Sequence, residues 1–223
     1  MNNKKFSFIT CVNDEEYYNE EVKYIRDLVI PIGFEVELIK IENAKSMASG
    51  YNKGLDRSDG KYKIYMHQDT FILNKKFLID ILEIFKDQSI GMIGMAGCCN
   101  IKDDYIWWNG ECYGKVYDSH TGIAQELYFN EVLDKTKDVS YIYGLLMVTQ
   151  YDIRWREEVF NGWHYYDMSQ CEEFSKLGYR IVIPRQSEPW CFHDCGIVKV
   201  ENGFEYYRDL FIKEKIRKIK FYM

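Results

Sequence analysis

Proline is scarce, three residues in a chain of 223, and no Ser/Gly-rich or low-complexity tract interrupts it. No linker, domain boundary or internal repeat is therefore evident, and the length fits one large domain able to bury a sizeable core. No apolar run reaches the roughly 18 residues that a membrane-spanning helix needs. The opening "MNNKKFSFITCVN" carries too short an apolar run for a signal peptide. Basic residues do not dominate: 29 Lys and Arg stand against 35 Asp and Glu, a formal net charge of -6. That balance argues against a nucleic-acid surface. None of the seven cysteines has a C-x-x-C partner and their number is odd, so reduced thiols in a cytoplasm are the simplest account.

What is present is the mixture of a soluble globular protein, 47% hydrophobic and 29% charged. Aromatic residues are frequent, with 19 Tyr and 5 Trp. They serve in cores, and they also wall pockets for sugars and bases by stacking.

The first hundred residues alternate between two periods. "KFSFITCV" (5–12), "FEVELIKI" (34–41), "KYKIYMHQ" (61–68) and "IGMIGMAG" (90–97) read as strands. Between them, residues 15–30 place Tyr18, Val22, Ile25 and Val29 at helical spacing behind Asn13 and Asp14 as caps. Residues 46–58 and 74–88 read as two further helices. This predicts an α/β fold with a mostly parallel sheet between helices. Right-handed crossovers then gather the strand C-termini on one edge, where such sheets bind ligands. Asn13-Asp14, Glu42-Asn43 and His67-Gln68-Asp69 all end strands there. Residues 98–140 read as loops over the site, and 140–153 as a strand interrupted by Gly144. In "DMSQCEEFSKLGYRIVIP" (167–184), Ser169 and Glu172 suggest a capping box, Gly178 a helix stop, and the last six residues a strand. Residues 203–220 read as a helix carrying Lys213, Lys215, Arg217, Lys218 and Lys220 opposite Phe211, Ile212, Ile216 and Ile219. That amphipathic pattern suits a solvated face, or a peripheral membrane or partner contact.

Three polar groups carry possible chemistry. Asp69 is a turn former or, at a ligand-binding edge, the holder of a divalent cation. Cys191, His193 and Cys195 alternate, so His193 could join Asp69 on one cation, belong to a zinc trio, or be a buried imidazole bonded to backbone. Asp167 opens a helix beside Trp163, His164, Tyr165 and Tyr166, which suits a cap, a general base or both. No third group orients a Cys/His nucleophile pair.

Four blocks, in order, resemble the GT-A glycosyltransferases of the family-2 type, with the streptomycin-biosynthesis branch the nearest likeness. They are "SFITCVNDEEYYNE", "SMASGYNKGLDRSDGKYKIYMHQDT", "NGWHYYDMSQCEEFSKLGYRIVIP" and "WCFHD", and together they span roughly residues 6 to 195. The resemblance implies a single GT-A domain over 1–223. About 1–97 would bind the nucleotide, about 98–200 the acceptor, and 201–223 would form the basic helix. It implies that Asp69, as the last acid of a D-x-D-like motif, and His193 hold Mn²⁺ or Mg²⁺. It implies that Thr10, Val12, Asn13, Glu42, Asn43, Asn52, His67 and Gln68 face a UDP- or GDP-linked sugar. Asp167 would deprotonate the acceptor hydroxyl, with Trp163, His164 and Tyr166 on the acceptor side. His67 stands where the motif has its first acid, and "IENAKS" where an acidic pair is usual. The implied activity is metal-dependent transfer of a hexose-like sugar to a glycan or small molecule, with inversion. The alternative is a domain that binds nucleotide or glycan without turnover. A nucleotidyltransferase is disfavoured, because "CVNDEEYYNE" has neither Gly nor a basic residue.

Overall fold

A computed structural model describes residues 1–221 apart from residue 199, with side chains as far as Arg217. The first strand, β1 (Asn2–Val12), is longer than its apolar run. Asp14 then caps α1 (Glu15–Arg26) by accepting from the backbone N–H groups of Glu16 and Tyr17. Val22 and Ile25 face inward, whereas Val29 lies beyond the helix end and is 47% exposed. The chain then turns through Pro31 and Gly33, where the Phe34 N–H donates to the Pro31 carbonyl. Next come β2 (Glu35–Glu42), α2 (Met47–Arg57) and β3 (Gly60–His67). Glycines let α2 lie close on β1: a Cβ at Gly54 would meet Ile9 Cγ2 at 2.2 Å.

The chain continues through β4 (Thr70–Ile72), α3 (Phe77–Ile84), β5 (Ile90–Gly94) and β6 (Ala96–Cys98). The run expected as one strand thus divides between two sheets. Gly94 and Gly97 allow the crossing, since a Cβ at either would collide with the chain at Tyr141–Ile142. Residues 98–140, expected as loops, contain β7 (Cys112–Asp118), β8 (Gln125–Tyr128) and β9 (Thr136–Val139). In β7 every second residue is buried, but Gly114 and Lys115 break up the apolar pattern by which a strand is recognised. As expected, residues 140–153 hold strands on both sides of Gly144, β10 (Tyr141–Ile142) and β11 (Leu146–Thr149). The last elements are α4 (Tyr166–Lys176), β12 (Arg180–Pro184), β13 (Cys191–His193) and α5 (Phe204–Phe221).

The main sheet has the order β2-β1-β3-β11-β5-β12-β9. Neighbours β1–β2, β1–β3 and β5–β12 run parallel. Strand β11 enters antiparallel between β3 and β5, and β9 is antiparallel to β12. The fold is α/β with a mostly parallel main sheet, as expected: β2, β1, β3, β5 and β12 share one direction, and β11 and β9 oppose it. A smaller sheet, β10-β6-β7-β13-β4 with β8 beside β7, covers the far end. One core cluster gathers Phe6, Phe8, Ile64 and Met66 of β1 and β3, the other their alternates Ile9 and Tyr65.

Two local expectations change. Helix α4 starts at Tyr166 without a side-chain cap, so Ser169 is no capping residue, and its buried hydroxyl has no hydrogen bond. The start is set instead by Tyr165, held in the left-handed region at φ 60°. Gly178, at φ 81°, does end that helix. In α5, Phe204 and Phe211 are spent on the core, against Tyr165 and Tyr141, and Lys215 pairs with Glu172. The expected peripheral contact thus loses much of its apolar face to the protein interior, although Ile216 is exposed. The side chains of Lys218, Ile219 and Lys220 lie outside the described residues. No helix among the described residues is long and apolar enough to cross a membrane.

Candidate active site

The parallel register aligns Val12 with Glu42 and Cys11 with His67, so three strands end side by side. Their ends floor a cavity of about 520 Å³ lined by Val12, Asn13, Glu42, Asn43, His67, Gln68 and Asp69. Gln68 ties the floor together. Its Oε1 accepts from the backbone N–H groups of Asn13 at 2.8 Å and Asp14 at 3.0 Å. Its Nε2 donates to Asn13 Oδ1 at 2.5 Å. At the rim Lys40 bridges Glu15 and Glu42.

Two residues expected at the donor do not line this cavity. Thr10 sits two residues inside β1, where its hydroxyl donates to the buried Glu21 at 2.6 Å. Asn52 is buried on α2, and both ends of its amide are committed to the Trp155 backbone at 2.9 Å. Helical spacing gives a side chain's face but not its depth, and this face is turned to the interior. Asn52→Ala is expected to cost about 1–3 kcal/mol of stability through the buried backbone groups it leaves unpaired. Nucleotide affinity should stay unchanged. Urea denaturation with a nucleotide titration checks both, and weakened binding at unchanged stability would return Asn52 to the donor.

A second cavity, of about 320 Å³, is walled by aromatic rings, among them Trp107, Trp108, Trp163, Tyr165 and Phe204. His164, Tyr166 and Asp167 line it too, and it shares His67, Asp69 and Trp163 with the first. Asp167 lies in the first turn of α4, where Oδ1 accepts from the Met168 N–H at 2.8 Å. Burial pushes its carboxyl up to about 6, with backbone N–H groups restraining the rise. His164 Nε2 donates to the Glu201 carbonyl at 2.8 Å, and burial lowers its pKa. His67 Nε2 shares a hydrogen bond of 2.6 Å with the Tyr166 hydroxyl. Burial takes the His67 pKa down to about 4, so the ring is neutral.

Where the cavities meet, ligand atoms of His67, Asp69 and His193 lie within 4.8 Å of one another. Asp69 Oδ1 is buried without a hydrogen bond, 3.4 Å from His193 Nε2. A buried carboxylate oxygen without a hydrogen bond, beside two imidazoles, suits a divalent cation, and the nitrogen donors favour a transition ion such as Mn²⁺ over Mg²⁺, which prefers oxygen alone. The far nitrogen of His193 lies 3.0 Å from Asp118 Oδ2 and 3.0 Å from the Tyr143 hydroxyl. Cys195 also approaches Asp118. Cys191 belongs to the apolar core, its thiol pushed up to about 12 by burial, so the zinc trio, one of the three alternatives for His193, does not converge. Asp118, Tyr143, Trp107 and Trp108 escape the sequence reading because all but Tyr143 lie in the stretch read as loops. The alternating burial of "CYGKVYD" turns Asp118 inward, but that alternation belongs to the fold and is not visible in the apolar pattern of the sequence.

Residues 7–215 match the family described as "Glycosyltransferase like family". The chain belongs to that family. No curated protein sequence matches this glycosyltransferase-like domain. Among solved structures it is similar to S. aureus TarS, residues 1–349 in complex with UDP, at 14% identity and a TM-score of 0.53. That match covers 85% of this chain and 60% of TarS 1–349. It is similar to the mannosyltransferase PcManGT from Pyrobaculum calidifontis, solved with GDP-Man and Mn²⁺, at 13% identity and a TM-score of 0.57. There the match covers 92% of this chain and 60% of the other. A mutant Drosophila beta-1,4-galactosyltransferase 7, solved with manganese, UDP-Gal and xylobiose, matches at 14% identity and a TM-score of 0.51. It covers 92% of this chain and 73% of that one. The glycosyltransferase-like domain therefore has the GT-A fold, and it spans about three-fifths of the TarS 1–349 and PcManGT chains.

Proposed function

We propose that the protein transfers a sugar, of the hexosyl type, from a nucleoside-diphosphate donor to a hydroxyl group of a glycan or small molecule. The observation that carries this reading is the meeting of two cavities at His67, Asp69 and Trp163, with Asp167 in the aromatic one. In this reading the nucleotide lies over the strand ends, framed by Val12, Asn13, Glu42 and Asn43. Residues 1–97 supply most of that cavity and residues 98–200 most of the acceptor wall.

Asp69 and His193 would hold Mn²⁺ or Mg²⁺, which when bound neutralises charge on the departing diphosphate. Among the described residues lining either cavity there is no Lys or Arg. Asp167 accepts the acceptor's proton, and the aromatic walls exclude water and stack on the sugar face. A single base opposite the leaving group favours inversion. The order of the four sequence blocks supports the streptomycin-biosynthesis branch, and seven unpaired cysteines suit a reducing cytoplasm.

A panel of UDP- and GDP-sugars, each with and without Mn²⁺, tests the proposal by thermal shift and by release of nucleoside diphosphate. At least one donor is expected to stabilise the protein in a metal-dependent manner and to be consumed. A panel with no stabilisation would sink the proposal, and stabilisation without consumption would favour a binding module.

A further inference from the structure

Two groups of metal-ligating side chains meet at His193, and they are not equivalent. In the first, Asp69 Oδ1 is buried and lacks a hydrogen bond. In the second, both oxygens of Asp118 are taken. Oδ1 accepts from the His120 backbone N–H at 2.8 Å, lies 2.6 Å from His120 Nδ1, and receives the Cys195 thiol at 3.7 Å. Oδ2 lies 3.0 Å from His193 Nδ1. Asp69 Oδ1 thus faces His193 Nε2 at 3.4 Å without a hydrogen bond and is the oxygen open to a cation, while Asp118 is already bound by protein donors.

Backbone register explains how Asp118 comes to this place. Strands β7 and β13 run parallel, and Asp118 pairs with His193 across them. Asp118 is 1% exposed and closes β7, so its side chain has little freedom beside the ring. The Tyr143 hydroxyl approaches the same nitrogen, also at 3.0 Å. An imidazole whose Nδ1 faces a carboxylate keeps its proton there, which leaves the Nε2 lone pair for a metal.

We infer that Asp118 is a positioning residue for the cation site: it fixes the tautomer and the ring direction of His193, so that Nε2 is presented toward Asp69. The inference rests on the proposed role of Asp69 and His193 as cation ligands. Asp118 itself touches neither cation nor sugar. Its neighbour Ser119 extends the support along the chain, because Ser119 Oγ donates to Asp194 Oδ1 at 3.2 Å and accepts from the Gly196 N–H at 2.9 Å. The segment that leaves His193 is thereby held to the end of β7.

The test is a titration of the full chain with Mn²⁺ in the presence of UDP, reading free Mn²⁺ by electron paramagnetic resonance. The unaltered protein is expected to bind, and Asp118→Asn to bind roughly 10–100-fold more weakly. A residue that only held the fold would lower the melting temperature of the metal-free variant and leave the affinity of its folded fraction unchanged. Equal affinity in Asp118→Asn and the unaltered protein therefore overturns the inference and leaves the cation site standing. No binding by the unaltered protein overturns the cation site itself, and this inference with it. Should Asp118→Asn fail to fold, nitrogen NMR of the unaltered protein loaded with Zn²⁺ decides. A His193 ring protonated at Nδ1 is expected, and one protonated at Nε2 overturns the assignment.

Discussion

Asp167→Asn is expected to reduce sugar transfer by roughly 10²–10⁴-fold, the usual contribution of a positioned general base, while nucleotide binding persists. Asp167 lines the aromatic cavity and not the one over the strand ends, so a donor should not register its loss. Burial holds its carboxyl near 6, which leaves it ionised at neutral pH yet far more basic than an exposed aspartate. Below that value the base carries its proton, and kcat/KM should fall about tenfold for each pH unit. The same limb should vanish in Asp167→Asn.

Stability should move the opposite way. The folded protein binds this proton more tightly than the unfolded chain does, so stability is lost as pH rises from about 4 to about 6. At pH 8 the Asn variant is expected to be more stable by about 1–3 kcal/mol, with the gap closing at pH 4. Urea denaturation at the two pH values measures it. A variant that is fully active, or one that fails to bind nucleotide, would remove Asp167 from the role of base.

The second large effect concerns Asp69. Asp69→Ala is expected to abolish any rise in melting temperature produced by Mn²⁺ with UDP or GDP. A ligand present at about 100 times its Kd stabilises by about 2.7 kcal/mol. In a chain of this size that is a rise of roughly 5–10 °C. The variant should lose the whole of it, because the carboxylate removed includes the buried Oδ1 that makes no hydrogen bond in the protein. His67 offers no substitute charge, since its ring is neutral and bonded to Tyr166. Differential scanning fluorimetry with and without Mn²⁺ makes the comparison, and an undiminished shift in Asp69→Ala would move the cation elsewhere.

Much of the candidate site's geometry was legible because strand ends are easy to read. The period of two in β1, β2 and β3 breaks at a polar residue each time, and a shared direction brings those breaks together. Depth was not legible. Thr10 and Asn52 have the right chemistry for a donor contact, yet one lies under α1 and the other turns inward to the Trp155 backbone. The spacing of residues along an element does not say which neighbour closes over it. Asp118 was lost for a different reason: it lies in the stretch 98–140 read as loops, and only its pairing with a strand some 75 residues later gives it a partner. Tyr165 illustrates a third case, since a left-handed tyrosine replaces the capping side chains that sequence rules expect.

The antiparallel strand between β3 and β5 has a consequence for how the chain is made. Until residues 146–149 have been synthesised, the sheet has a gap at its centre, and β3 and β5 each present an unpaired edge. A fragment ending near residue 97 would carry both edges permanently and invite strand addition by other copies. Closure waits on contacts distant in sequence, a topology expected to slow folding and to leave nascent chains open to aggregation.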